Sequence, residues 1–261
     1  MEFPLLEGSG CQRGQLGTCD WQEPQPEAQG MKRLAKKRLP AFVVDLARVL
    51  RYRLRSANSI LCARRLARGG KALKLELGAG AKRGTNGWLT LDLSAGCDLC
   101  WDLRNGLPFP DEVIQAVYSS HFLEHLSFKE CQELLKECLR VLVPGGSFSV
   151  CVPNARLFLE AYVRGEVLQD PFLGYKPAHN RTTRIDYANY VAYMDGAHKY
   201  MFDEENLLFV LSLAGFERAR LRSFDATVDS STRAYQSICA EANRPFALGA
   251  ATQSGPMLNL P

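Results

Sequence analysis

The stretch "YSSHFLEHL", residues 118–126, carries His121, Glu124 and His125 in the order H-x-x-E-H. On one helix face, two histidines so spaced can hold Zn²⁺ while the glutamate activates a water. A second group of candidates lies upstream. "LELGAG" ends in Glu76, Gly78, Ala79 and Gly80, "LTLDL" ends in Asp92 and Leu93, and "CWDLRN" carries Asp102 and Leu103. Glycines at a strand's carboxyl end let backbone approach a ligand without an intervening Cβ. An acid closing the next strand can accept hydrogen bonds from both hydroxyls of a ribose. The two chemistries compete for the same chain, and the flanking sequence decides between them.

The elements that position these residues read as strands alternating with helices. "KALKLEL", "GWLTLDL", "VIQAVYSS" and "SFSVCVPN" read as strands, with "ERARLRSF" and "RAYQSICAEA" as the last two. "FKECQELLKECLRVL" has apolar residues at helical spacing before a "PGG" stop, and "DEENLLFVLSLAGF" opens on acids and closes on glycine. This alternation predicts an α/β fold of Rossmann-like, doubly wound type, with a mostly parallel sheet. Only seven residues, "AKRGTNG", separate Gly80 from Trp88, too few for a crossover carrying a full helix. The first crossover helix is therefore expected to be reduced to a turn. Four strand ends, including Ser119, Ser120 and His121 on the fourth, are expected to meet at the carboxyl edge of the sheet, where such folds bind ligands.

In combination, "LELGAG", "LTLD", "AVYSSHFLEHL" and "LKECLRVLVPGGSFSVCVPN" resemble the class I S-adenosylmethionine-dependent methyltransferases, in the branch that contains ubiquinone-biosynthesis-type enzymes. The resemblance is strong over residues 72–155 and weaker to about 240. "AHKYMFDEENLLFVLSLAGF" is also similar to bacterial methyltransferases associated with surface glycans. The resemblance implies S-adenosylmethionine as cofactor and S-adenosylhomocysteine as product. It implies that Glu76, Gly78, Ala79 and Gly80 line the methionine part, Asp92 and Leu93 the ribose side, and Asp102 and Leu103 the adenine. Ser119, Ser120 and His121 would lie beside the sulfonium. The methyl acceptor it suggests is an oxygen on a sugar or other small molecule. This reading accounts for the whole series around "HFLEH", whereas a zinc peptidase explains five residues and has no third ligand in view. No metal is assigned.

The segment 164–200 is long, aromatic and poorly periodic, and stands where the family places substrate-covering elements. It holds Tyr175, Tyr187, Tyr190, Tyr193, Tyr200, His179 and His198. His198 is the candidate general base, because imidazole titrates near neutrality, and His121 is the second catalytic candidate.

The net charge of +4 is unevenly spread. Residues 31–70 carry twelve Lys/Arg against Asp45 alone, while residues 1–30 are acidic. The expected organisation is a disordered leader over 1–30 and a basic amphipathic helical extension over 31–69. A methyltransferase domain follows over 70–241, with 164–200 as its lid, and 242–261 form a C-terminal tail. The basic helix has three readings: a solvated cap, a helix lying on an anionic membrane surface, or a phosphate-binding element for nucleic acid. Its apolar face favours the membrane over nucleic acid. Nine scattered cysteines and the lack of a secretory signal lead us to expect reduced thiols and a cytoplasmic site, with association at the cytoplasmic face of a membrane if the helix docks there. Two other functions fit the same sequence: a non-catalytic scaffold docking through the basic helix, and an RNA methyltransferase.

Overall fold

The structure, a computed structural model, describes residues 41–168, 173 and 182–246. The leader, the first ten residues of the basic extension, Tyr175, His179 and the tail beyond 246 lie outside the described residues.

Seven strands form one sheet: β1 (Leu73–Leu77), β2 (Trp88–Asp92), β3 (Leu99–Cys100), β4 (Ile114–Ser120), β5 (Leu142–Pro153), β6 (Glu217–Arg222) and β7 (Ser237–Asn243). Their order is β3-β2-β1-β4-β5-β7-β6. The first five run parallel, and β7 inserts antiparallel between β5 and β6. This is the Rossmann-like, mostly parallel sheet expected from the sequence. Strand order reverses at β1/β4, and that switch point opens a crevice at the carboxyl edge.

Five helices complete the described chain: α1 (Ala41–Arg68), α2 (Phe128–Val141), α3 (Ala155–Arg164), α4 (Asp186–Tyr193) and α5 (Glu204–Ala214). Ser127 caps α2, accepting from the Glu130 N–H while the Glu130 carboxylate accepts from the Ser127 N–H. This capping box satisfies two otherwise orphaned donors. Cys131, Leu134, Leu135, Cys138 and Val141 then fall on one buried face, the spacing of a helix packed on a sheet. In α5, Asp203 caps the start and Gly215, at φ 107°, ends it in the left-handed conformation.

No helix joins β1 to β2, and Asp98 holds the shortened connection in place. Its carboxylate accepts from the N–H groups of Gly84 and Thr90 and from the Thr90 hydroxyl. Burial pushes the Asp98 carboxyl up, but those hydrogen bonds outweigh it and hold it below its ordinary value.

The structure adds to the sequence reading at three places. The helix stop expected at "PGG" holds, since α2 ends at Val141, and "PGG" itself lies within β5. The chain passes straight from α2 into β5, and these residues loop out of its register between the pairs Ile114–Leu142 and Ala116–Ser147. The stretch 155–164 is a helix, α3, capped by Asn154. The segment 164–200 is not structureless in its described part. Within it α4 packs on α3 through Phe158, Ala161, Tyr187, Tyr190 and Val191, a small core separate from that of the sheet.

The cysteine expectation holds at Cys62, Cys97, Cys100, Cys131 and Cys138, which are free. It fails at Cys151 and Cys239, which lie opposite one another on β5 and β7 and form a disulfide. Sequence separation hid this pair, because only the antiparallel insertion of β7 makes them neighbours.

The basic helix is two different surfaces. Near its C-terminal end Ala63 is fully buried and the Ser59 hydroxyl donates to the Cys100 carbonyl at 3.2 Å, fixing this part of α1 against the β3 edge. Further towards its start Phe42, Leu46, Val49, Leu50 and Leu54 are exposed, with Arg48, Arg51, Arg53 and Arg55 among them.

Candidate active site

Three cavities line the carboxyl edge. The first, about 230 Å³, is walled by Asp92, Leu93, Trp101, Asp102, Leu103 and Phe122 together with His125 and Lys199. The second, about 340 Å³, is walled by Glu76, Gly78, Ala79, Gly80, Ser120 and His121, with Tyr118 and Arg233 opposite. The third, about 480 Å³, is walled by His121, Glu124, His125, Tyr190, His198 and the segment Thr232–Gln236.

Gly78 and Gly80 shape the first turn. Both have φ near +67°, at 68° and 66°, a conformation in which a side chain is strained. A Cβ on Gly78 would lie 2.2 Å from Cγ of Phe122, so that ring packs directly on the glycine at the border of the first two cavities. A Cβ on Gly80 would meet nothing within 4 Å. Asp92 draws this turn to the end of β2: its Oδ2 accepts from the Gly80 N–H at 2.9 Å and its Oδ1 from the Ser94 N–H at 2.7 Å. Each oxygen retains a lone pair, so the carboxylate can still accept from ligand hydroxyls. Glu76 pairs with the exposed Lys82 ammonium at 2.6 Å, which shows that this carboxylate attracts an ammonium group at the cavity wall.

Asp102 is committed to Arg104, which binds it through Nε at 2.9 Å and Nη2 at 2.7 Å. This side-chain pairing holds the Asp102 carboxyl below its ordinary value. Leu93, half-exposed, and Leu103, buried, present apolar surface to the first cavity. Ser119 is the candidate that the fold turns away. Its side chain is buried and its hydroxyl donates to the Leu77 carbonyl, so Ser120 and not Ser119 faces the crevice.

His121 stands where the second and third cavities meet. Its φ of 51° is left-handed, a strained backbone for a residue with a Cβ, and its N–H donates to the Cys151 carbonyl at 2.8 Å. The Ser237 hydroxyl donates to the Arg233 carbonyl at 2.7 Å and therefore accepts from His121 Nε2 at 2.7 Å. That fixes His121 as the Nε2–H tautomer with Nδ1 turned to Glu124 Oε1, 3.7 Å away. Burial pushes the His121 imidazole down to about 3 and the Glu124 carboxyl up to about 8. The pair is therefore neutral near pH 7 and is not an ion pair.

His198 donates Nδ1–H to the Val191 carbonyl at 2.8 Å, leaving its Nε2 lone pair free. Burial depresses its pKa, partly offset by the Val191 hydrogen bond and assisted by nearby His125. The nitrogen that could take a proton is thus unprotonated at neutral pH. Tyr187, Tyr190 and Tyr200 pack within the fold, whereas Tyr193 is exposed.

Sequence reasoning missed Trp101, Phe122, Thr232, Arg233, Tyr235 and Gln236. The last four sit on a 3-10 segment, Ser231–Gln236, just before β7. They reach the third cavity because β7 returns antiparallel beside β5, and no local pattern announces that.

An α/β sheet in this order, with a glycine turn and acids at the ends of β1 and β2, defines a Rossmann-like domain built to hold a nucleoside-bearing cofactor. Residues 75–150 match the family model described as a methyltransferase domain. The matched residues, which include the β1, β2 and β4 strand ends, thus carry a methyltransferase domain, and the cofactor of such a domain is S-adenosylmethionine. No curated protein matches the chain. Among solved structures it is similar to a chain of a methyltransferase–activator complex from Haloferax volcanii, with 16% identity, a TM-score of 0.43, and coverage of 80% of this chain and 98% of that one. It is also similar to phosphoethanolamine N-methyltransferase 2 of Haemonchus contortus bound to S-adenosyl-L-methionine (13% identity, TM-score 0.43, covering 72% of this chain and 52% of that one). A third likeness is a SAM-dependent methyltransferase from Archaeoglobus fulgidus (17% identity, TM-score 0.40, covering 77% and 98%).

Proposed function

We propose that this protein methylates an oxygen of a sugar or other small hydroxylated molecule held in the third cavity. The observation that carries the reading is the placement of His121 at the junction of that cavity with the one bounded by Glu76, Gly78 and Gly80. When bound, S-adenosylmethionine supplies an electrophilic methyl group on a sulfonium, which the acceptor oxygen takes up. Glu76 would hold the methionine ammonium after Lys82 swings into solvent, Asp92 the ribose hydroxyls, and Leu93, Trp101 and Leu103 the apolar adenine faces. A cavity of about 480 Å³ is of small-molecule size, and Thr232, Arg233 and Gln236 provide hydrogen-bonding groups for hydroxyls or an anionic substituent. Nε2 of His198 would accept the proton released by the acceptor hydroxyl, with His121 setting the acceptor's approach at the junction. Incubation with methyl-labelled S-adenosylmethionine and a panel of free sugars, nucleotide sugars and phenols tests the reading. Transfer of label to a sugar oxygen is expected; transfer only to protein or RNA would overturn the small-molecule assignment.

We further propose that the protein docks on an anionic membrane surface through α1. Exposed Phe42, Leu46, Leu50 and Leu54 interspersed with arginines suit a helix lying in the headgroup region. Sedimentation with vesicles containing phosphatidylglycerol is expected to recover the protein at low salt, and Leu46→Glu with Leu50→Glu to abolish recovery. Equal recovery with purely zwitterionic vesicles would contradict the electrostatic part.

A further inference from the structure

Glu124, His125 and His198 each offer one ligand atom, and these atoms all lie within 4.8 Å of one another. The chain has four histidines, and three of them line this one cavity. Several independent features prepare the cluster for a cation. Glu124 is 2% exposed, and neither of its carboxyl oxygens has a hydrogen-bond partner. A buried carboxyl in that condition carries a desolvation cost that a cation beside it would offset. His125 donates Nδ1–H to the Ala197 carbonyl at 2.9 Å, and His198 donates Nδ1–H to Val191 at 2.8 Å. Both rings are thereby fixed as the tautomer whose Nε2 lone pair is free, the backbone support that orients metal-ligating imidazoles. The backbone also ties the two halves together, since the Lys199 N–H donates to the Glu124 carbonyl at 2.8 Å.

We infer that Glu124, His125 and His198 form a binding site for a divalent transition-metal ion in the wall of the acceptor cavity. Two imidazoles and one carboxylate favour Zn²⁺, Fe²⁺ or Co²⁺ over Mg²⁺, which prefers an all-oxygen shell. The H-x-x-E-H pattern is used in part: Glu124 and His125 ligate from a 3-10 turn, Leu123–His125, while His121 is held away by Ser237. Three protein ligands leave room for a fourth from the cavity. An acceptor hydroxyl in that position would lose its proton more readily, releasing it to water, and the resulting alkoxide would remain on the ion. This consequence rests on the small-molecule reading above, with the bound ion taking over the proton-managing part that the free Nε2 of His198 plays without it; the ion site itself does not rest on that reading.

The test uses the full chain, stripped with a chelator and desalted, titrated calorimetrically with Zn²⁺ alone. One equivalent is expected to bind, with affinity falling by at least about 10-fold in His198→Ala and in the volume-conserving Glu124→Gln. Co²⁺ is expected to give visible d–d absorption that the same variants reduce, and Mg²⁺ no stoichiometric heat. S-adenosylhomocysteine binding, measured in parallel on all three proteins, reports that the fold is intact and keeps the two readings separable. Absence of Zn²⁺ binding in protein that binds S-adenosylhomocysteine overturns the site, and so does Zn²⁺ binding undiminished by either variant. Zn²⁺ binding without S-adenosylhomocysteine binding leaves the site standing and overturns the methyl-transfer reading.

Discussion

His198→Ala is expected to lower kcat for methyl transfer by about 10²–10⁴-fold, the range for loss of a group that manages the transferred proton. S-adenosylhomocysteine affinity should change little, because His198 borders only the third cavity, apart from Asp92 and the glycine turn. The direction with pH follows from the same geometry. Burial lowers the pKa of His198 from 6.5, and the functional form is the neutral imidazole. The rate should therefore fall only as pH drops through a value below 6.5, and stay level across neutrality where His198 is already unprotonated. A rate profile measured with saturating acceptor checks both statements. An acidic limb centred above pH 7, or a variant with wild-type kcat, would remove His198 from the proton step.

Asp92→Asn should weaken S-adenosylmethionine and S-adenosylhomocysteine binding by about 100-fold or more. Hydrogen bonds to a charged group contribute about 1.5–3 kcal/mol each, and Asp92 serves twice. It would hold the ribose, and it also anchors Gly80 and Ser94 through their N–H groups. Asparagine retains one acceptor oxygen, so at least one of these anchors is lost and the glycine turn drifts from the end of β2. The cost should appear in cofactor affinity more than in thermal stability, because Asp92 lies at the sheet edge while the core is built on residues such as Leu75, Leu91 and Phe148. Equilibrium dialysis beside a thermal unfolding scan separates the two quantities. A variant with unchanged affinity would place the ribose elsewhere.

The parts of this site that were legible in the sequence are those set by strand chemistry. An apolar strand running into glycines, and an acid closing the next strand, state their own position at a sheet edge, so Glu76, Gly80 and Asp92 could be placed before any coordinates. The missing crossover helix was equally legible, because seven residues cannot hold one. What could not be read depends on contacts between distant segments. Glu124 and His198 are brought together by the backbone bond from Lys199 and by the pairing of Asn154 with Phe202. Arg233 and Gln236 enter the cavity because β7 runs backwards. Ser119 and Ser120 are adjacent letters on one strand, and only the pleat decides which faces the crevice. The usual reading of the H-x-x-E-H pattern assumes a helix, whereas the chain here makes a 3-10 turn with a left-handed residue at the first histidine.

The most direct test of the central claim is calorimetric titration of the full chain with S-adenosylhomocysteine. One site per chain with a dissociation constant in the micromolar range, about −8 kcal/mol, is the expected result. No binding heat across several temperatures, from protein whose circular dichroism shows the α/β fold, would contradict the cofactor site described at the β1, β2 and β4 strand ends.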